Sequence, residues 1–85
     1  FNEDLEMFFI DAGHWDDALI QDINSIIPHL NKEKFIVFIH DTHCFTNQCI
    51  ITIEQLLNSK LVYVEECRYP NGFNLSYIQN GFNLS

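Results

Sequence analysis

Two short apolar runs in this chain each end in an acid, and a stretch of helical period lies between them. The first, Leu5 to Ile10 with its core Met7-Phe8-Phe9-Ile10, leads into Asp11-Ala12-Gly13-His14. The second, Phe35-Ile36-Val37-Phe38-Ile39, leads into His40-Asp41-Thr42. Both are continuous rather than alternating, which predicts buried strands. Between them Leu19, Ile20, Ile23, Ile26, Ile27 and Leu30 recur at helical spacing, with Gln21, Asp22, Asn24 and Ser25 opposite. Asp16 reads as the N-cap of that helix, Asp17 suits the dipole in its first turn, and Pro28 should kink or end it. Strand, helix and strand form a βαβ unit, whose carboxyl edge is where open α/β sheets bind ligands.

The second half continues the alternation. Thr46 is placed to cap a helix carrying Cys49, Ile50, Ile53, Leu56 and Leu57 on one face. The β-branched run Ile50-Ile51-Thr52-Ile53 alone would suit a strand, but a parallel sheet needs a crossover before its next strand. That strand is Leu61 to Glu66. The turn signal Arg68-Tyr69-Pro70-Asn71-Gly72 then predicts that Phe73 to Ile78 returns antiparallel as a hairpin. Asn71-Gly72-Phe73-Asn74-Leu75-Ser76 recurs as Asn80-Gly81-Phe82-Asn83-Leu84-Ser85. Two copies fall short of a solenoid, so 79–85 is set apart from the domain at 1–78 as a tail, either a short extra strand or a frayed end. The expected class is α/β.

Composition narrows the partners. Eighty-five residues make one small domain with a marginal core, and a first strand starting almost at Phe1 suggests a piece of a longer polypeptide. Hydrophobic content of 47% argues against disorder. A net charge of -8, with Lys32, Lys34, Lys60 and Arg68 as the fixed positives, disfavours nucleic acid and anionic membranes. No apolar run approaches the roughly 20 residues that cross a bilayer, and no secretory leader is visible. Cys44, Cys49 and Cys67 lack a Cys-x-x-Cys spacing and fit a reducing compartment, so the cytoplasm is the expected location. Without secretion the sequons at Asn74 and Asn83 carry little weight. Asp11, Asp16, Asp17 and Asp41 should lie near one another, with a divalent cation as the natural counterweight. Asp16 and Asp17 equally suit a solvated rim at a helix N-terminus.

The element order, the Phe8-Phe9-Ile10-Asp11-Ala12-Gly13-His14 motif with Asp16-Asp17 behind it, and Phe35–Ile39 running into His40-Asp41-Thr42 together resemble one family. They are similar to the second half of class I S-adenosylmethionine-dependent methyltransferases, of the macrocin O-methyltransferase and cephalosporin-hydroxylase kind, over about residues 5 to 78. The resemblance implies a Rossmann-like, doubly wound sheet of seven strands, the last antiparallel, of which this chain supplies strands four to seven. The glycine-rich turn and ribose-binding acid that hold the methyl donor would belong to the missing N-terminal half, and this piece is not expected to be active alone.

In metal-dependent members the acid ending strand four and the acidic pair ending strand five bind a magnesium-type ion. A basic residue three positions after the first acid takes the substrate hydroxyl's proton. Carried onto this sequence, Asp11 and Asp41 become metal ligands, His40 stands beside Asp41 where relatives have an acid, and His14 is the base. An imidazole at His40 shifts preference from Mg2+ toward zinc, iron or manganese. The implied function is methyl transfer to a hydroxyl of a small molecule or sugar. Plainer readings remain for each residue: Asp11 as a loop cap, His14 packed on Trp15, His40 as a buried, hydrogen-bonded core histidine, and His43, Cys44 and Cys49 extending a zinc site with His40. For the whole chain the alternatives are a non-catalytic α/β fragment and a metal-dependent hydrolase.

Overall fold

A computed structural model describes residues 6–11, 13, 15–65 and 75–82. Strand β1 (Met7–Ile10) is followed by helix α1 (Asp16–Ile26), β2 (Phe35–His40), α2 (Asn47–Leu57), β3 (Leu61–Glu65) and β4 (Leu75–Asn80). They form a four-stranded mixed sheet in the order β1-β2-β4-β3, with two helices. The chain is thus α/β. β1 pairs with β2 in parallel, Ile10 opposite Ile39. β4 is antiparallel to both β2 and β3, so β3 runs in the direction of β1 and β2 without touching them. A returning final strand was expected; its insertion between β2 and β3 was not. The turn expected at 68–72 lies outside the described residues.

Both crossovers step the same way across the sheet, so the usual right-handed connection lays both helices on one face. There Leu19 and Ile23 of α1, Cys49, Ile53 and Leu57 of α2, and Ile10, Phe35, Val37, Ile39 and Ile78 of the sheet make a single core. The other face carries no helix among the described residues, and that corrects the reading of the first strand as wholly buried. Met7 and Phe9 are 63% and 62% exposed. Phe9, Phe38 and Tyr77 make a row of rings across this face, neighbouring centroids 6.2 Å apart.

Local chemistry explains the element ends. α1 stops at Ile26 and tightens into a 3-10 turn over Ile27–His29, because Pro28 has no N–H for a further α-helical bond. The Asn31 side chain accepts from the amides of Glu33 and Lys34 and makes the turn into β2. Thr46 caps α2 by accepting from the Cys49 amide at 3.2 Å, as expected. Leu56, placed on the buried face by spacing, is instead 41% exposed. Gly81 is needed where it stands: its φ of +84° and the Glu33 carbonyl 2.5 Å from where a Cβ would sit exclude a side chain.

Ile23 is fully buried between α1 and the sheet. Ile23→Ala should lower the unfolding free energy by about 2–4 kcal/mol in a denaturant melt. A change under about 0.5 kcal/mol, the scale of surface substitutions, would contradict this packing.

Candidate metal centre

Because β1 and β2 are parallel and in register at Ile10 and Ile39, the residues that follow them arrive side by side at one edge. Asp11 is the first residue beyond β1, His40 the last of β2, and Asp41 the next. Neighbours in an extended strand point to opposite faces. Asp41 departs from that geometry with φ 58° and ψ 41°, the left-handed region. The backbone reversal lets its carboxylate turn back on the residue before it. Asp is among the few non-glycine residues that accept this conformation at modest cost.

The reversal is anchored beneath. The buried Thr42 hydroxyl donates to the Ile39 carbonyl at 3.1 Å, the Cys44 amide to the Asp41 carbonyl at 3.0 Å, and Phe45 packs into the core. His40 Nδ1 then lies 3.2 Å from Asp41 Oδ2 and 3.5 Å from Asp11 Oδ1. Phe9 is the imidazole's aromatic neighbour, its ring tilted by 37° with centroids 6.3 Å apart. His40 and Asp41 are 25% and 16% exposed and Asp11 is 68% exposed, so the cluster is a half-sheltered mouth rather than a closed cage.

One nitrogen and two carboxylate oxygens, all within 4.8 Å of one another, form the one group with metal-ligand spacing among the described residues. Ligands about 2.1–2.2 Å from a divalent ion, at tetrahedral to octahedral angles, lie roughly 3.0–3.6 Å apart. The two His40 distances fall in that range. Mixed imidazole and carboxylate donors suit manganese, iron or zinc better than magnesium. Such an ion would keep coordination positions open on the solvent side. Without a cation, a protonated His40 would make an ion pair with both acids.

The structure thus brings together the three residues expected to hold a metal, whereas His14, the expected base, lies outside the described residues. Asp16 is not part of the group, and its expected role is corrected. Trp15 occupies the N-cap position of α1 without a side-chain cap, and Asp16 is the first helical residue. Its carboxylate accepts instead from the Thr46 hydroxyl at 2.5 Å and the Thr46 amide at 3.1 Å, tying the starts of the two helices together. Those bonds favour the charged form and hold the Asp16 carboxyl below its ordinary range. The Cys49 thiol, buried and donating to the Asp16 carbonyl, is pushed up to about 11 by burial and then by the Asp16 charge. It is a packing residue.

The zinc alternative fails on geometry. His43 and Cys44 touch each other at 3.6 Å, but Cys49 is turned into the core and none of them joins His40 in a ligand group. Cys67 lies outside the described residues. Sequence reasoning missed Thr42, Phe45 and the left-handed Asp41, which together aim the centre. The available signal was an Asp directly after a strand, where a tight reversal without glycine favours Asx residues. The hollow of about 290 Å³ at the opposite edge, among Ile27, Leu30, Phe35 and Leu57, offers only Lys32 as a titratable group.

Thr46→Ala removes both the cap and one arm of the tether. It should cost about 1 kcal/mol at neutral pH in a denaturant melt. Asp16, with its folded pKa lowered, contributes stability above its ordinary value of 3.8 and loses it as pH falls through the folded value. In Thr46→Ala the acid limb of a pH–stability curve should therefore be shallower than in the parent. Asp41→Gly relieves the left-handed residue and should leave stability unchanged or raise it by up to about 1 kcal/mol, while removing one candidate ligand.

Among known proteins, no family model matches the chain, and neither a curated protein nor a solved structure does.

Proposed function

We propose that this chain is the second half of an S-adenosylmethionine-dependent O-methyltransferase domain and contributes its divalent-metal centre. The observation that carries this reading is the meeting of Asp11, His40 and Asp41 at the carboxyl edge of two parallel strands. The antiparallel last strand agrees with the Rossmann-like methyltransferase architecture that the motifs imply. On this reading the methyl donor is held mainly by the preceding half of the domain.

The reaction is an in-line displacement: the acceptor's hydroxyl oxygen forms a bond to the sulfonium methyl as the carbon–sulfur bond breaks, leaving S-adenosylhomocysteine. A divalent ion held at this edge would supply Lewis-acid chemistry, lowering the pKa of that hydroxyl. Asp11, Asp41 and the His40 nitrogen would hold such an ion, the two carboxylates supplying the negative charge that retains it. Phe9 lies beside the imidazole, ring centroids 6.3 Å apart. His14, three residues after Asp11, takes the hydroxyl proton, a role suited to an imidazole near neutral pH.

Calorimetric titration of the chain with Mn2+ tests the centre directly. One ion should bind, and Asp11→Asn and His40→Ala should each weaken it by tenfold or more, the scale for losing one ligand's support. Equal affinity in parent and variants, or no binding in the parent, would favour the non-catalytic fragment instead. In the complete domain, chelation should abolish methyl transfer, and His14→Ala should lower the turnover number by roughly a hundredfold.

A further inference from the structure

A second feature of the same edge bears on the acceptor. Between the starts of the two helices lies an open hollow of about 480 Å³ lined by Trp15, Asp16, Asp17, Cys44 and Thr46. Trp15 is 64% exposed, yet its ring is backed by the chain: a Cβ at Gly13 would lie 2.7 Å from Trp15 Cη2 and 2.9 Å from Cζ3. Only a glycine lets the six-membered ring rest against the backbone there, with the remainder of the indole turned to solvent. Asp16 is held by Thr46, whereas Asp17 stands exposed in the first turn of α1. An indole face beside a carboxylate attracts an organic cation, by cation–π attraction and by charge. The two helix N-termini oppose this with about half a positive charge each, and Asp16 and Asp17 together outweigh them.

We propose that this hollow is a subsite for a positively charged group of the methyl acceptor, which makes the acceptor a hydroxyl compound that also carries an ammonium group. The proposal rests on the methyl-transfer reading for its word acceptor, but the subsite is measurable without it. Asp11 and Trp15 are four residues apart, so their Cα atoms lie within about 14 Å even at full extension. That bound limits how long an acceptor must be to offer its hydroxyl at the metal centre and its ammonium group at Trp15.

Trp15 is the chain's single tryptophan, so indole emission reports on this ring alone. The probes are choline, a cationic alcohol, and 3,3-dimethylbutanol, its uncharged isostere. Choline should shift Trp15 emission saturably and bind at least about fivefold more tightly than the isostere, the scale of a cation–π contact. By calorimetry, Trp15→Ala should abolish choline binding and Asp17→Asn should weaken it several-fold. Both residues are exposed, so the melting temperature should stay near the parent's. Gly13→Ala, which drives a methyl group into the ring, should weaken choline binding with the indole still present. Equal affinity for the two probes, or an unchanged choline affinity in Trp15→Ala, overturns the subsite. Mn2+ binding and methyl transfer that persist without any choline response overturn the subsite alone. Choline binding in a complete domain that methylates no hydroxyl overturns the methyl-transfer reading and leaves the cation site standing.

Discussion

Asp11 meets His40 because Ile10 is paired with Ile39, and that register is the constraint on which the rest of the molecule turns. A parallel pair brings both strands out at one edge, but the exact register decides which residues emerge together. A slip of one residue would carry every β1 side chain to the other face and take Ile10 out of the core. Core packing therefore fixes the meeting of the acids and the imidazole. Ile10, Val37 and Ile39 are held by α1 and α2 on one face, and the polar residues one step further on have little choice about where they stand.

The helices are in turn fixed at the same edge. Asp16 and Thr46, 30 residues apart in sequence, join the N-termini of α1 and α2 directly, so the helix starts are tied together at the rim where the strands end. Thr46 serves twice, capping α2 with its lone pairs and donating its proton to Asp16. Asp41 in its left-handed conformation is the strained member of that rim, and the buried Thr42 beneath it is what holds it in place.

Much of this was legible in the order of residues, for identifiable reasons. The apolar run of β2, the period of α1, the break at Pro28 and the Thr46 cap are local patterns, and local patterns survive folding. The three candidate ligands were legible because they end or directly follow strands. What was not legible depends on partners distant in sequence. Asp16 looks like a cap until Thr46 claims its carboxylate. The first strand looks buried until both helices settle on one side and leave Phe9 uncovered. The final strand was expected to return, but its place between β2 and β3 is a choice among neighbours that no short window encodes. The left-handed turn at Asp41 leaves no glycine as a marker.

The row of Phe9, Phe38 and Tyr77 has a colloidal consequence. An apolar, partly open sheet face is a surface on which two copies can stack, and at neutral pH the opposing influence is mutual repulsion between chains of net charge -8. That repulsion vanishes near the isoelectric point of about 4.6, where the acids carry no surplus over the bases. Acidification toward that point would thus favour self-association, and added salt, by shortening the reach of the charges, would act in the same direction.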